Sequence, residues 1–207
     1  MSETPLVWID CEMTGLDATR DALVEVACLV TDAELNVLGD GVQVVIKPSD
    51  EALAGMNDFV TKMHTDSGLL PELASGTTME DAQAQVLAYV KKHVPYSGKA
   101  PLAGNTVGMD RIFLDRDMPD LMSHLHYRVV DVSSLKELVR RWYPRVFFNA
   151  PPKTGGHRAL GDIQDSITEL RYYRETVLVD LPGPDSDEAK AAAEKVGAVH
   201  EGGDLNA

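Results

Sequence analysis

The stretch that most constrains this chain is Leu6-Val7-Trp8-Ile9-Asp10-Cys11-Glu12-Met13-Thr14-Gly15-Leu16. An apolar run rich in strand-forming residues ends in a carboxylate, a spacer and a second carboxylate, then turns at Thr14-Gly15. Side chains alternate faces along a strand, so Asp10 and Glu12 point one way while Ile9, Cys11 and Met13 point the other. Two acids on one face at a strand end repel each other. The commonest compensator for close carboxylates open to substrate is a divalent cation that prefers oxygen, Mg²⁺ or Mn²⁺. An Asp-x-Glu triplet also arises by chance about once in a chain of this size. Asp32-Ala33-Glu34 has the same spacing and reads as the turn of a hairpin between 23–31 and 37–46. The first triplet therefore needs partners further along.

Downstream, the pattern predicts a meander followed by alternating strands and helices. Residues 23–31 and 37–46 read as the second and third strands. Residues 51–65 carry Leu53, Met56, Phe59, Val60 and Met63 at helix-like spacing, interrupted at Gly55-Met56-Asn57, which predicts two short helices. Thr77-Thr78-Met79-Glu80-Asp81, a Thr cap with an acid three residues on, opens a helix that puts Ala82, Val86, Leu87, Val90 and Val94 on one face. Pro101-Leu102-Ala103-Gly104 suits a short buried strand, and 110–118 a helix with Ile112, Phe113 and Leu114 inward, stopped by Pro119. Residues 127–132 read as a strand, Ser133-Ser134-x-x-Glu137 as the capping box of a helix to about 143, 144–156 as loop, and 158–176 as the last helix. The fold class is α/β, with an antiparallel meander and parallel strands in one mixed sheet flanked by helices. Residues 1–181 form the domain. Residues 182–207 are acidic and lack a core stripe, so they read as a disordered tail with an Ala-rich helical turn around 188–196.

Charge narrows the function. With 19 basic and 33 acidic residues the net charge is -14, which argues against holding long nucleic acid by counterion release. A short anionic substrate is not excluded, because bound metal and a few placed donors hold a phosphate ester against a repulsive overall field. The first residues lack the basic and apolar regions of a secretory signal, and no apolar run spans a membrane. Cys11 and Cys28 lie in apolar strand-like runs, as reduced core residues of a cytoplasmic protein would.

Two later segments supply the partners that the triplet needs. Asn105-Thr106-Val107-Gly108-Met109-Asp110 sets an acid at the start of a helix after a buried strand; stabilising that helix end is the plainer role for it. In Gly155-Gly156-His157-Arg158-Ala159-Leu160-Gly161-Asp162, five residues at 3.6 per turn keep His157 and Asp162 off one helical face. The glycines place His157 on a flexible approach while Asp162 projects from the early helix into the same cleft.

In this order, Asp10-x-Glu12, Asp110 after Gly104-Asn105, and His157-x4-Asp162 resemble the three motifs of the DEDD exonuclease superfamily in its histidine subclass. Wider agreement over about residues 5–177 resembles the oligoribonuclease family: Trp8 to Leu16, Thr65-Asp66-Ser67-Gly68-Leu69, His126-Tyr127-Arg128-x-x-Asp131-Val132-Ser133 and Leu135-Lys136-Glu137-Leu138. The resemblance implies a ribonuclease H-like fold, a homodimer, and 3′ to 5′ removal of nucleotides from very short RNAs, dinucleotides above all. Asp10, Glu12, Asp110 and Asp162 would then hold two Mg²⁺ or Mn²⁺ ions, with Asp10 bridging, and His157 would take the proton of the attacking water. The resemblance further implies that Leu16 wedges between two bases and that Phe59, where the family often has tryptophan, stacks on one. Tyr127 and Arg128 would reach across the dimer, and Arg128, Thr106 and Ser133 would cap a 5′ phosphate. An exposed loop leucine, a surface arginine and a helix N-cap at Ser133 are the structural alternatives for Leu16, Arg128 and Ser133. A DEDD exonuclease acting on longer RNA or DNA ends, and a catalytically silent nucleic-acid-binding module, are the alternative functions.

Overall fold

The computed structural model describes residues 4–154 and 156–201. Five strands, β1 (Leu6–Met13), β2 (Leu23–Thr31), β3 (Val37–Val45), β4 (Pro101–Gly104) and β5 (His126–Asp131), form one sheet in the order β3-β2-β1-β4-β5. β1, β2 and β3 pair antiparallel, whereas β4 joins β1 and β5 joins β4 in parallel. Between β3 and β4 lie α1 (Asp50–Ala54), α2 (Asp58–Asp66), a 3₁₀ segment (Leu70–Ser75) and α3 (Met79–His93). Around β5 are α4 (Val107–Asp117), α5 (Pro119–His124), α6 (Val132–Trp142) and α7 (Pro144–Phe148), followed by α8 (Ala159–Thr176) and α9 (Ser186–Glu201).

The period of two in β1 sorts the layers. Val7, Ile9, Cys11 and Met13 join one core with Ala82, Val86 and Val90 of α3, Phe113 and Leu114 of α4 and Leu121 of α5. Trp8 joins a second core on the opposite face with Val132 and Val139 of α6 and Ala159, Ile163, Ile167 and Tyr173 of α8. Asp10 and Glu12 share the face of Trp8, so continuing β1 past its apolar part aims both acids at the start of α8. β1 is the point where the sheet order reverses, and crevices of α/β sheets open there beyond the strand ends. Asp32-Ala33-Glu34 forms the β2–β3 turn, with Asp32 Oδ1 accepting from the backbone N–H of Glu34 and Asn36, both at 2.8 Å.

Several boundaries differ from the sequence reading. Pro119 opens α5 rather than only ending the preceding helix, because proline fits the first helical position, where no N–H partner is needed. Pro144 does the same for α7 inside the expected loop. α4 starts at Val107, three residues early, after Thr106 in a left-handed conformation (φ 56°). Ile112 lies outward, 51% exposed, while Phe113 and Leu114 are buried. α6 is capped by Asp131, not by the Ser133 box: the Asp131 side chain accepts from Ser133 N at 2.9 Å. Where a largely disordered tail is expected, α9 extends over Ser186–Glu201; its Ala, Glu and Lys residues favour helix, and Asp185 Oδ1 accepts from the N–H groups of Asp187 and Glu188, each at 2.9 Å. Among the described residues no helix is long and apolar enough to cross a membrane.

Candidate active site

Asp10 and Glu12 from β1 and Asp162 from the first turn of α8 each offer a carboxylate oxygen within 4.8 Å of the others. Asp110 flanks them. It lies in the first turn of α4, is buried, and accepts from Cys11 N at 3.0 Å. The parallel pairing of β1 with the short β4 covers only Val7 and Trp8, so Cys11 N–H lies past its end and Asp110 supplies the acceptor. Asp110 thus keeps the plain role of an acid in the first turn of α4, bonded to its own N–H, and adds a second bond to β1.

Burial first, and neighbouring carboxylates second, raise all four of these acids. Burial, then the charges of Asp110, Asp162, Glu12 and Glu25, pushes Asp10 up to about 9. Glu12 is pushed up to about 8 by burial and by Asp162, Glu25 and Asp110, with Arg158 pulling the other way. Asp110 rises to about 6 by burial, held back by its own N–H and by Cys11. Asp162 is raised by burial, and the positive charges of His157 and Lys153 oppose that rise. Hard oxygen donors that resist ionising together are the donor set that Mg²⁺ or Mn²⁺ accepts, so the residues fit such cations. His157 is exposed and left-handed (φ 61°) after Gly156 (φ 64°), which turns the chain into α8 as the glycine-rich approach requires. Gly155 lies outside the described residues.

The other expected site residues fall into two groups. Leu16, 70% exposed, and Phe59, 76% exposed, flank an open cavity of about 400 Å³ beside Glu12, floored by Met13, Val60 and Met63. The Leu16 loop is fixed by Asp21, which accepts from Thr14 Oγ1 at 3.3 Å and from Asp17 N at 2.9 Å. Thr106 and Ser133 come together with their hydroxyl oxygens 3.1 Å apart, and Ser133 Oγ donates to Asn105 Oδ1 at 3.0 Å. Tyr127 and Arg128 do not join the acids within this chain. They stand on the edge strand β5, with Arg128 Nε donating to the Tyr127 hydroxyl at 3.1 Å.

Sequence reasoning missed four residues around the acids. Glu25 is wholly buried and pairs in register with Glu12. Arg158 bonds to Glu25 through Nη2 at 2.8 Å. His64, also wholly buried, donates from Nε2 to the Met13 carbonyl at 2.8 Å and sets Nδ1 3.9 Å from Glu12 Oε2. Asp131 Oδ1 accepts from both Thr106 N and Ser133 N. A lone acid in the apolar run of β2 was the only signal for Glu25, and its meaning depends on the strand register.

This sheet order, with acids converging beyond β1, is that of the ribonuclease H-like fold. Residues 7–170 match the family described as Exonuclease. Exonuclease I of E. coli, solved in complex with a dT13 oligonucleotide, superposes with TM-score 0.64 at 16% identity, over 83% of this chain and 41% of that one. Exonuclease I from Methylocaldum szegediense gives 0.59 at 20% identity over 84% of this chain and 41% of that one. The chain thus spans about two fifths of those enzymes, and the likeness is one of fold.

Within that class, the chain belongs to the oligoribonuclease family. It is 66% identical over 193 residues to the oligoribonuclease of Streptomyces griseus, covering 93% of this chain and 96% of the relative. It is 62% identical over 190 residues to that of Cutibacterium acnes (92% and 94%) and 57% identical over 187 residues to that of Mycobacterium tuberculosis (90% and 87%).

Proposed function

We propose that the chain is a 3′ to 5′ exoribonuclease that hydrolyses very short RNAs, above all 5′-phosphorylated dinucleotides, to nucleoside 5′-monophosphates. The observation that carries this reading is the convergence of Asp10, Glu12 and Asp162 within 4.8 Å, with Asp110 alongside, in a chain of this family. Asp10, Glu12, Asp110 and Asp162 would hold two divalent cations, Mg²⁺ or Mn²⁺. When bound, these supply Lewis-acid polarisation of the attacking water and charge neutralisation at the leaving 3′ oxygen.

His157 takes one proton from the water as it adds to phosphorus, and the bond from phosphorus to the 3′ oxygen breaks. The exposed place of His157 beside Asp162 suits a base that must exchange its proton with solvent after each turnover. Leu16 enters between the bases and Phe59 stacks on one, supported by the cavity they share next to Glu12. Thr106 and Ser133 cap the 5′ phosphate. Tyr127 and Arg128 reach the cleft of a second copy, which agrees with their place on an exposed edge strand away from their own acids. The unit that acts is then a homodimer.

Single-turnover cleavage of a 5′-phosphorylated RNA dinucleotide with Mg²⁺ tests this, run against RNAs of three to seven residues and a DNA dinucleotide. The expected result is metal-dependent release of mononucleotides, fastest from the RNA dinucleotide and abolished by Asp162→Ala. Equal or faster cleavage of longer RNA or DNA would keep the catalytic assignment and remove the dinucleotide reading. Unchanged behaviour of Asp162→Ala would make the chain a binding module.

A further inference from the structure

Glu25 is a wholly buried carboxylate that the proposed hydrolysis does not use. Its oxygens receive four N–H donors: Arg158 Nε at 3.1 Å, Arg158 Nη2 at 2.8 Å, Ala159 N at 3.0 Å and Gln43 Nε2 at 2.7 Å. Arg158 is tied a second time to Glu72 of the 3₁₀ segment, Nη1 to Oε1 at 3.2 Å and Nη2 to Oε2 at 3.0 Å. Ala159 opens α8, and the residue before it, Arg158, provides no side-chain cap. An N–H of the first helical turn has no partner inside its own helix. Here the acceptor comes from β2.

We infer that Glu25 and Arg158 are positioning residues for the hydrolytic site, anchoring the start of α8 so that His157 and Asp162 meet Asp10 and Glu12. Glu25 pairs in register with Glu12, so the anchor and the acids share one rigid strand pair. From that anchor His157 lies one residue back and Asp162 one helical turn on. His157 also has a positive φ of 61°, a conformation that persists only where the surroundings determine it. Stability alone is a poor reason for the arrangement. Burying an ion pair adds little net stability, and the Glu25 charge adds to those opposing ionisation of Asp10, Glu12 and Asp162.

The inference rests on the proposed roles of His157 and Asp162, and its test separates the two. Arg158→Met, Arg158→Lys, Glu25→Gln and Asp162→Ala are compared at a temperature where circular dichroism shows each folded. Turnover of a 5′-phosphorylated RNA dinucleotide should fall about 10–100-fold in Arg158→Met, as when a residue supporting metal ligands is lost, and about tenfold in Glu25→Gln, which also serves if Arg158→Met does not fold. KM should stay within about twofold, because no base or phosphate contact is removed. Arg158→Lys, which keeps an ion pair with Glu25, should recover part of the loss. Calorimetric titration with Mn²⁺ supplies a readout that a merely structural role would not move. Loss of a positive charge beside the acids should by itself tighten Mn²⁺ binding, whereas a displaced Asp162 weakens it; weaker binding by Arg158→Met is expected. Parental turnover in the folded variants, or tighter Mn²⁺ binding by Arg158→Met, overturns the inference. If Asp162→Ala is inactive in that case, only the anchor fails; if it too turns over normally, the reading of the site fails with it.

Discussion

Asp10 and Glu12 carry the tension of the site in their proton affinity. Both are held far above the ordinary carboxylate range, at about 9 and about 8, so near neutral pH the folded chain binds protons that the unfolded chain has released. Stability therefore falls as pH rises: the contribution is complete below about pH 4, the unfolded value, and is lost on passing through 8 to 9. In chelator, the melting temperature should decline between pH 5 and 9. Asp10→Asn should flatten that slope and raise the melting temperature at pH 8 by about 4 °C, since a chain of this size gains about 2–4 °C per kcal/mol relieved. The same substitution should abolish cleavage. Differential scanning calorimetry across the pH range checks this, and a pH-independent melting temperature would contradict it.

The start of α6 shows how one cap serves two elements. Asp131 at the end of β5 accepts from Ser133 N, the cap bond of α6, and from Thr106 N at the left-handed entry to α4. Loss of a capping side chain costs about 1 kcal/mol, and the second bond raises the expected cost of Asp131→Ala to about 2 kcal/mol in urea denaturation. Freeing both backbones should also separate the Thr106 and Ser133 hydroxyls and raise KM for a 5′-phosphorylated dinucleotide more than for its unphosphorylated form. A loss below about 0.5 kcal/mol would show that solvent replaces both bonds. The same element marks where the sequence misled. Ser133-Ser134-x-x-Glu137 has the pattern of a capping box, but the helix begins a residue before Ser133 and uses the preceding acid. Asp131 and Ser133 are both good capping residues, and the structure uses the one at the end of β5.

At the scale of the whole molecule, the exposed β5 edge and the net charge make separate predictions. The proposed reach of Tyr127 and Arg128 into a second copy requires that sedimentation velocity show a dimer. Arg128→Ala should weaken cleavage of 5′-phosphorylated dinucleotides selectively; equal losses on dinucleotides and seven-residue RNAs would reject the phosphate-cap role. The net charge of -14 leaves recognition to a few local contacts. Between 50 and 200 mM salt, KM for a dinucleotide should then change less than about tenfold, as expected for one or two phosphate contacts. A steeper dependence would require a basic surface extending beyond the cleft.

The sequence by itself determined the layers and which face of β1 carries Asp10 and Glu12. Alternation in β1 separates Trp8, Asp10 and Glu12 from Val7, Ile9, Cys11 and Met13, and that separation holds in the sheet because a strand period of two leaves no other choice. Spacing likewise put His157 on the approach and Asp162 inside the helix. Only the tertiary structure decided which distant groups meet. Glu25 reads as one acid in an apolar run until antiparallel register sets it opposite Glu12 and α8 brings Arg158 onto it. His64 becomes a neighbour of Glu12 only once α2 brings it to the end of β1. Local periodicity fixes which face a side chain takes, whereas a partner across the fold depends on the relative placement of elements, and that is set by the packing of both cores together.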